Sequence, residues 1–377
     1  MSSPHSASPV AGVARLALLG TGTVGSAFVA RYQALKSSGQ VLPVFHGLAN
    51  SRSSLVCSEA LEQALHAARH APGRPAGAGA EASVAPALDS LRAGDVVVDA
   101  TASDAIAATH ARWLERGIHV VTANKLGQGA HPRRAADIAA RCDAAGACYG
   151  DSATVGAGLP LLSSLRALVA GGDRIHRIEG VLSGSMAWLF HRHDGQQPFS
   201  ALVRQAVQQG LTEPDPRLDL SGEDVRRKLI ILARASGWPL DTHEIRVDSL
   251  VPRALAACST REALDALDVL DDPLHDAWSS ARKAGTTLRF IGRVDGQGAY
   301  VGLQALALDH PLAAGTGTDN RVAIYSDRYR NQPLLIQGPG AGADVTAAAL
   351  LDDVLRIAKS HGIARVRDQT MGSIDLS

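Results

Sequence analysis

Apolar and polar positions along this chain follow two rhythms. An apolar run at Leu16 to Leu19 passes through a glycine turn into an amphipathic stretch ending near Leu35, and a second apolar run follows at Val41 to Leu48. Strand, helix, strand in that order predicts a βαβ unit. Asp95 to Thr101 (DVVVDAT) is a nearly continuous β-branched run, as a parallel strand covered on both faces requires. A helix through Gly117 and a strand at His119 to Thr122 follow it, and the pattern predicts a doubly wound α/β sheet of Rossmann type. Glycines crowd Tyr149 to Leu159, after which helices alternate with strands expected at Arg177 to Leu182, Leu288 to Val294 and Ala299 to Leu308. These define a second, α+β domain. Asp344 to His361 is apolar at helical spacing, lies far from any strand of its own, and is expected to pack back on the first domain. The expected boundaries are 15–150 for the first domain, completed by 340–377, and 151–339 for the second. His66 to Pro86 is rich in Ala, Gly, Pro and Arg without a period and reads as a surface excursion. No internal repeat is visible.

Composition narrows the function. The chain has 377 residues, 46% hydrophobic and 20% charged, enough for two cores. Lys plus Arg equals Asp plus Glu at 37 each, so no summed field favours nucleic acid or an anionic membrane. A small-molecule ligand held by local groups is the expected partner. Met1 to Ala14 is small and polar and reads as a frayed tail, with no signal peptide or span. Cys57, Cys142, Cys148 and Cys258 form no CxxC pair and no metal-like spacing with histidine, which points to a reduced cytoplasmic chain. Cys142 and Cys148 flank no obvious activating base.

Gly20, Gly22 and Gly25 form G-x-G-x-x-G between a strand and a helix. The first glycine permits the tight turn, the second lets backbone approach a pyrophosphate, and the third lets helix and strand pack closely. A dinucleotide is the expected cofactor. The region after the second strand reads His46-Gly-Leu-Ala-Asn50-Ser51-Arg52, with no carboxylate to repel a 2′-phosphate and an arginine to bind one, so NADP is favoured over NAD. Arg52 as a solvated surface arginine is the alternative.

Only five residues are lysine in this arginine-rich chain. A lysine can exchange its proton where arginine cannot, so each lysine position is informative. Lys125 directly follows a strand of the parallel sheet, at the carboxyl end where ligands bind. Lys228 follows Ser221-Gly-Glu-Asp224-Val-Arg-Arg, a helix start with Ser221 as expected N-cap, and Asp224 and Lys228 share a face at i,i+4. Two readings stay open for this pair, a catalytic couple or a capping-box carboxylate and solvated ion pair.

These segments together resemble the homoserine dehydrogenase family, most closely the dehydrogenase half of the bifunctional aspartokinase-homoserine dehydrogenases. The resembling stretches are Gly20 to Gly25, VVTANK ending at Lys125, TVGAGLP from Thr154, IEGVLSGS from Ile178 to Ser185, GLTEPDP from Gly210, Asp224 to Leu229, and GPGAGADVTA from Gly338 to Ala347. Each is weak alone, but they fall in family order from residue 15 to about 360.

The resemblance implies reversible, NADP- or NAD-dependent reduction of L-aspartate 4-semialdehyde to L-homoserine, a step of threonine and methionine biosynthesis. By it Lys228 is the general acid, Asp224 holds it and positions substrate, and Lys125 is a second proton-transfer candidate or a positioning cation beside cofactor and substrate. Glu213 and Asp219 would serve the substrate ammonium. Gly22, Thr23, Val24, Thr101 and Gly342 would line the dinucleotide, and backbone carbonyls of Ser152, Val155, Ala157 and Leu159 would hold a sodium ion. A sheet-mediated homodimer is the implied assembly.

Departures are Leu218 where a carboxylate is common, Ala187 and Trp188 where a tyrosine is usual, and Ala123 in place of proline. No regulatory C-terminal domain, and no threonine feedback through one, is expected. Three rivals remain: a dehydrogenase for another small amino-acid carbonyl, an acylating enzyme built on a nucleophilic cysteine, and an NADP sensor without turnover.

Overall fold

The computed structural model describes residues 14–57, 60–72 and 88–361. The tail expected at Met1 to Ala14 therefore lies outside the described residues except for Ala14. The chain forms two compact units. The first comprises 1–122, 138–150 and 350–377, and the second 123–137 and 151–349.

The first unit carries β1 (Arg15–Leu19), β2 (Val44–Ala49), β3 (Ser54–Val56), β4 (Val96–Asp99), β5 (His119–Thr122) and β6 (Tyr149–Gly150) in the order β3-β2-β1-β4-β5-β6. Five strands are parallel and β3 runs antiparallel on β2. All four residues of β4 and of β5 are buried, which is why each carries consecutive valines rather than an alternating pattern, with its polar ends Asp99, His119 and Thr122 buried as well. The helix Asp104–Glu115 begins where Ser103 Oγ accepts the Ile106 N–H at 3.3 Å, and it buries Ile106, Ala107, His110, Trp113 and Leu114. Burial of each large apolar side chain here contributes roughly 1.5–3 kcal/mol.

The excursion expected from His66 is corrected in part. Leu61–His70 is a helix burying Leu61 and Ala68, so His66 to His70 are its last turns. Alanine and arginine there serve helix propensity rather than irregularity. The remainder, 73–86, lies outside the described residues.

The second unit carries β7 (Ile175–Val181), β8 (Ile245–Val247), β9 (Thr286–Asp295), β10 (Gly298–Ala307), β11 (Asp319–Ser326) and β12 (Leu334–Pro339), ordered β12-β11-β7-β9-β10-β8. Only β8 pairs in parallel, on β10. The three strands read from sequence are present within three residues at each end, whereas β8, β11 and β12 were not anticipated. The helix Glu223–Ala235 buries Val225, Lys228 and Leu229 through Ala233. It packs closely on β9 because Gly292 has no side chain: a Cβ there would lie 3.1 Å from Val225 Cγ1. The last helix, Ala343–Ser360, starts in the second unit and from Leu350 is grouped with the first.

Candidate active site

At the end of β1 the chain turns through Gly20, whose φ of +95° is open to glycine and whose Cβ would sit 2.8 Å from the Ala100 carbonyl oxygen. A Cβ on Gly25 would lie 1.9 Å from the Gly20 carbonyl oxygen, so the third glycine is sterically obligatory. Gly22 differs, since a Cβ on it would meet no heavy atom within 4 Å. The protein itself leaves that space open, which fits a pyrophosphate rather than internal packing.

Gly22 is also the N-cap of the helix Thr23–Ser37. No side chain caps this helix and no acidic residue occupies its first turn, so the N–H groups around Thr23 and Val24 carry their partial positive charge toward an anion. Thr101 lies against the turn, its Cγ2 3.1 Å from the position a Gly20 Cβ would take.

Beside Gly22, a cleft of about 370 Å³ is lined by Thr21, Asn50, Ser51, Arg52, Arg69 and His70. Asn50 shapes it, accepting the Arg52 and Ser53 N–H groups at 2.7 and 2.9 Å and donating to Thr21 Oγ1 at 2.7 Å. Arg52 pairs with no acid among the described residues; its Nη1 donates to the Arg69 carbonyl at 3.3 Å. Arg69 was missed in the sequence because it stands on a helix whose approach to β2 no local pattern encodes.

In the second unit Lys228 is buried on its helix. Its Nζ donates to the Leu182 carbonyl at 2.7 Å and lies 2.8 Å from Asp224 Oδ2. The other oxygen of Asp224 faces Lys125 Nζ at 3.5 Å. Burial raises the Asp224 carboxyl, but Lys228 and Lys125 together outweigh it and hold the group down at about 2. The capping box is overturned, because Ser221 is not the N-cap; the i,i+4 pair is present, with its lysine buried and its half-exposed carboxylate shared with a second lysine.

The expected cap is corrected as well. Gly222, at φ +79°, is the N-cap, and Ser221 stands one residue earlier, taking the Glu223 N–H at 3.2 Å and donating to the Leu218 carbonyl. Glycine wins the position because the left-handed conformation is required there and a Cβ would lie 3.0 Å from Phe290 Cζ.

Asp219 joins the same region. It accepts Ser185 Oγ at 2.6 Å and the Glu213 N–H at 2.9 Å, and Ser185 in turn bonds Ser183 Oγ, which caps the helix Gly184–Arg192. Burial pushes the Asp219 carboxyl up, with Asp224 adding to the rise and Lys228 opposing it. The Glu213 side chain is exposed. Its loop is braced by Asp215, which Arg217 holds from an ordinary 3.8 down to about 2, while Arg217 Nη1 also reaches the Leu255 and Cys258 carbonyls. Leu218, the departure from the family pattern, is 59% exposed. Ser185 and Arg217 carry this network and neither had been assigned a role.

The loop with Ser152, Val155, Ala157 and Leu159 is sharply turned, with φ of +73° at Gly156 and +50° at Ala157. Asp151 at its start is fully buried and answered by both terminal nitrogens of Arg166 at 2.7 and 2.8 Å. Gly342, at φ +130°, precedes the last helix.

All four cysteines are free thiols. Folding nevertheless brings Cys148 together with His119 and His361, potential ligand atoms within 4.8 Å of one another, and places His361 Nε2 4.0 Å from Cys148 Sγ. A base therefore does lie beside Cys148, which corrects the expectation from sequence. It does not make a nucleophile, because burial raises the thiol. Nor is the cluster a ready metal site. His119 Nδ1 already accepts the Cys148 N–H at 2.9 Å, which leaves the proton of the neutral ring on Nε2.

A glycine turn that leaves room for a pyrophosphate at a bare helix N-terminus, in a chain with a buried lysine paired to a carboxylate, defines the class of dinucleotide-dependent oxidoreductases. The family model described as "Homoserine dehydrogenase" matches residues 160–355, and that described as "Homoserine dehydrogenase, NAD binding domain" matches residues 20–147. A homoserine dehydrogenase of Saccharomyces cerevisiae is 35% identical over 362 residues, covering 92% of this chain and 98% of that protein. A bifunctional aspartokinase/homoserine dehydrogenase of Zea mays is 43% identical over 270 residues, 71% of this chain but 29% of its own length, so the chain spans under a third of such relatives. A Candida auris protein titled as of unknown function has a crystal structure of TM-score 0.80 at 34% identity, with 92% of this chain and 98% of that one covered. The chain belongs to the homoserine dehydrogenase family.

Proposed function

We propose that the chain reversibly reduces L-aspartate 4-semialdehyde to L-homoserine with NADPH as the preferred reductant. The observation that carries this is Lys228: buried, oriented by the Leu182 carbonyl, and paired with a carboxylate that a second lysine also holds. A bound nicotinamide supplies the hydride in reduction and accepts it in oxidation. As the aldehyde carbon gains hydrogen, its oxygen develops negative charge. The Lys228 ammonium stabilises that charge and transfers a proton to the oxygen, giving the alcohol and a neutral amine. Asp224 keeps the amine aimed, and Lys125 adds positive charge on the far side of Asp224. Glu213 and Asp219 supply the negative charge that a substrate ammonium requires.

Arg52 and Arg69 favour a 2′-phosphate over a free hydroxyl, since both line the cleft beside Gly22 and no acid among the described residues does. For a monovalent cation such as sodium, the support is Ala157: a left-handed alanine costs roughly 1–2 kcal/mol, and such strain persists where a loop's carbonyls have a task. A homodimer is part of this reading, on the resemblance alone, as is a cytoplasmic location, with four free thiols and no helix among the described residues long and apolar enough to cross a membrane.

The test is absorbance at 340 nm with L-homoserine and either NADP or NAD. The native chain should turn over, faster with NADP at low concentration. Lys228→Ala should lower kcat by roughly 10²- to 10⁴-fold while still binding dinucleotide. Arg52→Ala with Arg69→Ala should raise KM for NADP and leave KM for NAD unchanged. Absence of turnover with L-homoserine, alongside oxidation of another small hydroxy amino acid, would replace the substrate.

A further inference from the structure

One buried polar chain in the first unit has no part in the chemistry above. Asp99 ends β4, lies in register with Leu19 of β1 and Thr122 of β5, and is fully buried at the centre of the parallel sheet. A carboxylate there is costly unless its oxygens are answered. Oδ1 accepts the Thr101 N–H at 2.9 Å, and Oδ2 lies 3.0 Å from His110 Nε2. A carboxylate only accepts, so Nε2 donates; in the neutral ring Nδ1 is then the acceptor for the Tyr149 hydroxyl, 3.0 Å away. His110 is itself fully buried, on the helix Asp104–Glu115.

The chain thus runs from β6 through that helix to the backbone of Thr101. Beyond Thr101 it continues: Thr101 Oγ1 accepts the Ser103 N–H at 3.2 Å, and Ser103 caps the helix that carries His110. The segment so fixed is the one packed on the glycine turn, for Ala100 and Thr101 are the atoms a Gly20 Cβ would strike.

We propose that Asp99, His110 and Tyr149 are positioning residues for the dinucleotide, holding the Ala100–Thr101 backbone where it shapes the Gly20 turn. Hydrophobic residues would fill the same volume more cheaply, and the polar chain ends on a backbone N–H beside the cofactor loop. The inference rests on the dinucleotide reading above.

The experiment is titration of the purified chain with NADPH followed by fluorescence and calorimetry, with thermal melting in parallel. His110→Phe removes the His110 hydrogen bond to Asp99 Oδ2 and should weaken NADPH binding roughly tenfold. His110→Gln places an amide N–H near the former Nε2 and should restore binding to within about threefold of native, and Tyr149→Phe should weaken it by about two- to threefold. KM for L-homoserine at saturating NADP should not move in any of them. Native-like NADPH affinity in His110→Phe, or in Tyr149→Phe if the former does not fold, would overturn the proposal even if the melting temperature falls. Failure of the native chain itself to bind NADPH would overturn the dinucleotide reading, and this inference with it.

Discussion

Gly22 and Gly25 show how two identical residues three apart can be required for opposite reasons. Gly25 is needed by the fold, because any Cβ would overlap the Gly20 carbonyl; Gly22 faces open space, and on the proposed reading it is the dinucleotide that needs it. Gly22→Ala should therefore melt like the native chain while its dissociation constant for NADPH rises by about tenfold or more. Gly25→Ala should lose melting temperature as well as binding, and a melting scan beside the titration separates the two. Asp224 is a comparable case among charged groups. Held at about 2 by its two lysines, it stays ionised at every pH at which the enzyme would work. Asp224→Asn should lower kcat without adding a new ionisation to the pH profile between 5 and about 8.

At the scale of elements, the segment from Gly210 to Ser221 is anchored in the core by Leu220 and braced by the Asp215–Arg217 ion pair and the carbonyl contacts of Arg217. Asp215 carries its charge more readily in the folded state than in the unfolded one. Its contribution is complete above its ordinary value of 3.8 and is lost as pH falls toward about 2. Acid titration of L-homoserine affinity by calorimetry should show the loop's contribution failing in that window, and Asp215→Asn should have weaker affinity at neutral pH with a flatter acid limb. An unchanged affinity in the variant would mean that the loop holds its shape without the Arg217 brace. The helix Glu223–Ala235 makes the complementary point. Its apolar positions face the sheet, and Lys228 lies among them because the Leu182 carbonyl and Asp224 together satisfy its ammonium.

For the whole molecule, one buried group outside the proposed chemistry couples stability to pH. His119 is buried in the first unit, and burial, with His361 beside it, lowers its pKa from 6.5 to about 4. The folded state prefers the neutral ring, so its stabilising contribution is complete above 6.5 and lost as pH falls toward about 4. The native melting temperature should fall across that interval. His119→Asn keeps an acceptor for the Cys148 N–H and removes the titration, so its melting temperature should fall less over the same range. Equal slopes would show that other groups control acid unfolding.

The linear sequence by itself determined the doubly wound unit, the dinucleotide turn and the two lysines. Each is a local statement: a parallel strand buried on both faces runs through consecutive apolar residues, a tight turn at a phosphate favours glycine, and a lysine among arginines is a candidate for a labile proton. Resemblance in seven ordered segments then supplied the proposed reaction. Tertiary structure alone decided that Asp224 bridges Lys125 and Lys228 rather than capping a helix, since Lys125 stands 99 residues away in the numbering. It also placed Arg69 beside Arg52, set His361 beside Cys148, and added β8, β11 and β12, whose mixed patterns only their neighbours make legible. The physical reason is common to all of these. Periodicity and turn chemistry act over a few residues, whereas a charge network forms only after the elements that carry it have packed.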